Sequence, residues 1–353
     1  MSDLVPIFDG HNDFLLRLLH DRAARETTWL TQTGEGQLDL PRMKAGGFAG
    51  GFFAVYIPSP KAHDAPDLQS LLREPPFALP LPEPVPYEHA LPIAMEMVGH
   101  LLWMERSGHL SICRTVADIR AAMAAGRIAA ILHMEGAEAI GPDLDALHVW
   151  HAMGLRSLGP VWSRPTAFGH GVPFAFPSTP DTGDGLTPAG KDLVRACNQL
   201  GIMIDLSHLN EKGFNDVAAL SDAPLIATHS NAHALCRSSR NLTDRQLAMI
   251  RDSDGMVGLN YALSFLREDG AAQPFSGFDP MLRHLDHLIE MLGEDRVGLG
   301  SDFDGAEIPP DLGDASGLPR LIDAMRAHGY DAALIAKLAH ENWLAALGRV
   351  WKE

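Results

Sequence analysis

His11 and Asp13 stand two residues apart at the end of an apolar run that begins at Val5. On an extended chain that spacing puts both side chains on one side. An imidazole beside a carboxylate is half of a divalent-metal site, although a solvated surface pair would look the same. The decision rests on what the rest of the chain supplies. Glu135, His208, His229 and Asp302 each close a further short apolar run. Solvated charge has no reason to recur at that one phase. Two imidazole–carboxylate sets sharing a carboxylate suit a pair of divalent ions. Mixed nitrogen and oxygen ligands favour zinc, with manganese, cobalt or iron as alternatives. Two ions roughly 3.5–4 Å apart can share a hydroxide at neutral pH. Asp302, on the last such run, is the carboxylate assigned to move protons. His133 is read as facing away from Glu135 and as structural. Asp205 is out of phase with His208, and Asp304 is a supporting group behind Asp302.

Residues so far apart converge only if the elements between them repeat. Apolar runs at 46–57, 128–135, 154–162, 202–208, 224–229, 255–261 and 296–302 read as strands. Helical patterns follow at 93–105, 116–125 and 144–153. Thr187 with Pro188 opens another helix, which Gly201 ends. Asn210 starts the next, and Thr243 with Gln246 forms a capping box for a third. Helices over 279–292, 318–328 and 331–347 complete the chain. Short strands that are apolar on both faces belong to a parallel sheet covered by helices. About eight strand–helix units close into an α/β barrel of the (β/α)₈ TIM type, whose strand ends meet at one face. A doubly wound sheet would carry a Gly-rich loop after the first strand, where His-Asn-Asp stands here. Prolines crowd 58–92, which reads as an irregular insertion. Residues 1–353 are taken as one domain with that insertion.

The 353 residues are 46% hydrophobic and 21% charged, enough for a large core. The formal net charge of −17 argues against a phosphate-backbone partner such as nucleic acid. The three cysteines, Cys113, Cys197 and Cys236, are scattered and fit a reducing compartment. No signal-like start, membrane-length run or lipid-anchor tail is visible, so a cytoplasmic location is expected.

Five stretches in order resemble the motifs of the membrane (renal) dipeptidase family, binuclear zinc peptidases of the amidohydrolase superfamily. They are Asp9-Gly10-His11-Asn12-Asp13, His133-Met134-Glu135-Gly136, Ile204-Asp205-Leu206-Ser207-His208, Ala227-Thr228-His229-Ser230 and Gly300-Ser301-Asp302-Phe303-Asp304-Gly305. The resemblance implies that His11 and Asp13 hold one zinc, His208 and His229 the other, and that Glu135 bridges them. It implies that Asp302 handles the bridging water and protonates the leaving amine. It implies that Arg240 binds the substrate's terminal carboxylate, which a guanidinium fork suits. The expected substrate is a small dipeptide with a free carboxylate, with tolerance of a C-terminal D-residue. Neither nucleic acid nor membrane is an expected partner, and a homodimer is left open. One departure stands out. Trp162 occupies the position where family members place a histidine on the substrate carbonyl, and His170 in the following loop is the candidate substitute. Hydrolysis of a lactone, N-acyl amino acid or cyclic amide on the same scaffold is the alternative activity. A non-catalytic metal-binding protein is the more distant one.

Overall fold

The computed structural model describes residues 4–60 and 68–351. Eight parallel strands form its centre: β1 Ile7–Asn12, β2 Phe48–Tyr56, β3 Ile128–Glu135, β4 Leu155–Gly159, β5 Met203–Ile204, β6 Ile226–Ala227, β7 Met256–Leu259 and β8 Val297–Leu299. They are hydrogen-bonded in the order β5-β4-β3-β2-β1-β8-β7-β6. A single parallel bridge between Asp205 and Ile226 brings the two ends of that order together. The expected (β/α)₈ barrel is therefore present. A further strand, Leu110–Ile112, pairs with the first half of β3.

Inside the barrel, Phe8, Phe52, Ile131, Met203, Ile226 and Met256 pack with Trp343 from the C-terminal helix Asn342–Trp351. The Trp343 indole N–H donates to the Leu299 carbonyl at 2.9 Å. Glycine is required around that ring: a Cβ on Gly10 would lie 2.6 Å from it and one on Gly298 2.8 Å. Outside the barrel, the helices bury Leu15, Leu18, Met97, Leu101, Leu193, Leu247, Leu285 and Leu321 against the strands. Each such side chain contributes about 1.5–3 kcal/mol on leaving water.

The helix signals hold. Thr187 accepts from the Gly190 amide with Pro188 in the first turn, and Gly201 closes that helix at φ 67°. Asn210 caps Glu211–Leu220, and Thr243 and Gln246 form the capping box. The Pro-rich insertion needs correction, because helix Tyr87–Arg106 begins six residues before the expected 93 and contains Pro92. A proline costs one helical hydrogen bond and some crowding. Here the buried stripe of Ala90, Ala94, Met97, Val98, Leu101 and Met104 outweighs that cost. Within the insertion, Phe77–Ala78 pairs antiparallel with Ala175–Phe176 of the second long loop. Residues 61–67 of it lie outside the described residues. Among those described, no helix is long and apolar enough to cross a membrane.

Candidate metal centre

The ends of β1, β3, β5, β6 and β8 deliver their polar side chains to one place. The carboxylate Oε1 of Glu135 lies 3.0 Å from Nε2 of His208, 3.4 Å from Nε2 of His229 and 3.6 Å from Nε2 of His11. Asp13 Oδ2 is 3.3 Å from His11 Nε2. Carboxylate oxygens of Asp13 and Asp302 and a ring nitrogen of His11 lie within 4.8 Å of one another. All the sequence-predicted ligands are thus assembled, and Glu135 stands between the two sets.

The groups behind the imidazoles fix their tautomers. Thr228 Oγ1 gives its one proton to Asp205 Oδ2 at 2.6 Å, so it can only accept from His229 Nδ1 at 2.8 Å. The Nε2 lone pair of His229 therefore faces Glu135. For His208, Arg240 donates to Nε2 at 3.2 Å, which leaves Nδ1 to donate to Ser163 Oγ at 3.0 Å. Both rings thus turn an Nε2 lone pair toward the centre, the two nitrogens 3.1 Å apart, and the one on His208 also takes the Arg240 N–H. Asp205 is held by Ser207 and by the Thr228 amide, and so joins β5 to β6.

The protein atoms alone leave this cluster unbalanced. Burial raises Glu135 well above the usual carboxylate range, against the pull of His11. Burial also raises Asp302, with Asp13 adding to the rise. Burial drives His208 and His229 well below the usual imidazole value, and Arg240 and His11 add to it. His11 alone goes the other way. Burial opposes its charge, but Glu135, Asp13 and Asp302 outweigh that and push it up to about 10. The cluster thus draws a positive charge to the one point where its carboxylates meet. His11 is fully buried, yet neither ring nitrogen has a hydrogen-bond partner among the described residues. Buried polar atoms without partners are costly. A divalent cation would satisfy the orphaned Nε2 of His11 and the crowded carboxylates, so the residues present fit it.

A cavity of about 260 Å³ opens over this cluster, lined by Asp13, Glu135, His208 and Asp302. Tyr56, Trp162, Phe174 and Phe265 form much of its wall. Arg240 reaches it from below, donating to the Ser207 carbonyl and, at 3.3 Å, to that of His229. Burial pushes its guanidinium down to about 10 against Asp302 and Glu135, and its Nε has no partner among the described residues. Trp162 lies 5.8 Å from the His208 ring, centre to centre. His170 is not brought to the cavity; its Nδ1 sits 3.3 Å from the Gly185 carbonyl. The loop that carries it is tied by backbone bonds from the Thr187 amide to the Phe168 carbonyl and from the Asn210 amide to the His170 carbonyl.

The comparisons with known proteins give the family and the fold. The chain matches the membrane dipeptidase family, peptidase family M19, over residues 1–353. It belongs to that family. It is similar to a metallopeptidase of Rhodobacter sphaeroides whose crystal structure holds a phosphinate mimic of the dipeptide L-Ala-D-Ala. That chain is 66% identical with a TM-score of 0.97, over 99% of this chain and 100% of that one. Dipeptidase AC, another M19 metallopeptidase, is 65% identical at TM-score 0.97 over the same shares. A protein of the pqqA 5′ region of Klebsiella pneumoniae, itself uncharacterised, is 46% identical over 74% of this chain and 95% of its own. The enzyme is a metal-dependent dipeptidase.

Several residues of the dipeptidase site escape sequence reasoning. Asn260, just after β7, donates to Asp302 Oδ2 at 2.9 Å. Its place at a strand end was readable, but an amide is passed over in a search for metal ligands. Ser163 and Thr228 carry no signal of their own. Asp9 takes two hydrogen bonds from Ser301, and burial pushes it up to about 7. The reading of His133 is corrected. Two positions from Glu135 along a strand, it shares that residue's side and points inward, 5.5 Å from the His11 ring. Burial pushes it down to about 3, and Ser157 pairs with its Nδ1 at 2.8 Å. Asp304 is a supporting group, taking the Gln37 amide at 2.6 Å.

Proposed function

We propose that the enzyme holds two divalent ions, zinc first among them, and hydrolyses dipeptides with a free C-terminal carboxylate, including those ending in a D-residue. The observation that carries this is Glu135 Oε1, within 3.6 Å of the Nε2 atoms of three buried imidazoles. His11 and Asp13 would hold one ion, His208 and His229 the other, and Glu135 both. When bound, the ions supply a water acidic enough to attack a peptide carbonyl at neutral pH. Asp302, oriented by Asn260, takes that water's proton and passes it to the leaving amine. Arg240 takes the terminal carboxylate on its unpartnered edge, which sets the substrate's direction. The cavity of about 260 Å³ is small beside the roughly 300–1,000 Å³ of drug-sized sites, which suits two residues rather than a longer peptide. The L-Ala-D-Ala mimic in the 66% identical neighbour supports the stereochemistry. Residues 1–353 act as one hydrolase domain in the cytoplasm, where the free, buried cysteines stay reduced.

A panel of L,L and L,D dipeptides, assayed before and after chelation and zinc return, tests the reading. Hydrolysis lost on chelation and restored by zinc is expected. Asp302→Asn should lower kcat about 10²–10⁴-fold with both ions retained. Two bound ions with no hydrolysis across the panel would overturn it.

A further inference from the structure

One role in that chemistry still lacks a residue. As water adds to the scissile carbonyl, its oxygen gains negative charge, and a protein donor aimed there is worth about 10²–10³ in rate. Trp162 replaces the histidine expected for this task, and His170 is outside the cavity. β2 ends in Tyr56, whose register partner on β3 is Glu135. Partners on adjacent parallel strands send their side chains to the same side. Both therefore line the cavity, alongside Asp13 and Asp302.

The phenol is held but not used. Its ring meets Trp162 edge-on at 5.1 Å and 68°. The Arg164 guanidinium lies 5.6 Å from the ring. That guanidinium is itself fully buried and tied to Glu138 at 2.6 Å, Ser59 at 2.7 Å and the Ile57 carbonyl at 2.5 Å. A ring so fixed has little freedom to lose when a ligand arrives. Yet its hydroxyl has no hydrogen-bond partner among the described residues, although Tyr56 is more than half covered. A positioned O–H donor facing the cavity beside Glu135, with no protein group to donate to among the described residues, points to a ligand.

We infer that the Tyr56 hydroxyl donates a hydrogen bond to the scissile carbonyl oxygen and holds it as it becomes an oxyanion. The proton stays on Tyr56 throughout, so no further acid or base is required. This rests on the dipeptidase reading above.

The test uses the full-length, zinc-loaded enzyme and its Tyr56→Phe variant. The lost hydroxyl has no partner, so melting temperature and zinc content should not change. We expect kcat for L-Ala-D-Ala to fall about 10²–10³-fold and KM to move only a few-fold. A dipeptide phosphinate, tetrahedral like the reacting centre, should bind correspondingly more weakly. A purely structural role would not separate phosphinate affinity from KM. The inference is overturned if Tyr56→Phe keeps kcat within a few-fold, or loses zinc or several degrees of stability. It is equally overturned if Trp162→Phe, and not Tyr56→Phe, carries the kcat loss. Wild-type enzyme that cleaves no dipeptide would instead sink the underlying reading.

Discussion

Replacing Thr228 by Val asks whether the imidazoles are held ready for metal by the groups behind them. Valine keeps the shape of this fully buried side chain and removes one hydroxyl. Two hydrogen bonds go with it, the 2.6 Å bond to Asp205 Oδ2 and the 2.8 Å bond from His229 Nδ1. Asp205 keeps three donors on Oδ1, from the Ser207 amide, the Ser207 hydroxyl and the residue-228 amide, so the fold should survive. The loss does not fall equally on the two states. Without metal, His229 can move its proton to Nε2, where Glu135 Oε1 lies 3.4 Å away. With metal on Nε2, the proton must stay on Nδ1, buried and unpaired, at a cost of about 1–3 kcal/mol. Affinity for one ion should therefore drop about 10–100-fold, or ~1.4–2.7 kcal/mol. Competition with a chromophoric chelator at fixed pH measures this, alongside melting curves of the metal-free and loaded proteins. Unchanged affinity for both ions would refute the argument. So would an equal loss of stability in both forms, which would mean that Thr228 serves folding alone.

Two further expectations follow from the same site. Arg240→Met should lower kcat/KM for dipeptides about 10²-fold, since a hydrogen bond to a charged group is worth about 1.5–3 kcal/mol. Dipeptide amides, which lack the carboxylate, should lose much less, and an equal loss for acid and amide would refute carboxylate binding. Metal affinity should rise with pH. Without metal, Glu135, Asp13 and Asp302 overcome burial and hold the His11 proton up to about 10, against an ordinary 6.5. The stability this proton gives the metal-free protein is complete below pH 6.5 and is lost as pH rises through about 10. An incoming ion must displace the proton, so dissociation constants should fall across that window. Calorimetry in buffers of different ionisation enthalpy counts the released proton, and pH-independent affinity would count against it.

The barrel and the five side chains proposed as ligands were legible because both follow from local chemistry. A run apolar on both faces must be a covered parallel strand, and a barrel gathers all strand ends at one face. Thr187, Asn210 and Thr243 announced their helices because a cap needs only nearby amides. The proline rule failed at Pro92, where a buried stripe on one long helix outweighs a single lost bond. The hydroxyls of Ser163 and Thr228 were not legible. They meet their histidines across 45 residues and through a direct neighbour respectively, and common residue types leave no pattern. Asn260 and Tyr56 stand at the same strand-end phase as the proposed ligands and went unread because neither side-chain type binds metal well. His170 lies in the long loop after Trp162, and that loop sets its ring against the Gly185 carbonyl rather than in the cavity.

Among the described residues, Asp205 and Ile226 make the single bridge that closes the barrel, between strands of two residues each. Every other pair of neighbouring strands meets within the continuous hydrogen-bonded order. The barrel is thus a hoop with a narrow joint, and the joint lies directly beneath His208 and His229. An ion gripped by those two rings would act as a rivet across it. Catalytic loading and mechanical closure would then be one event, and the chain would complete its hoop as it arms its active site.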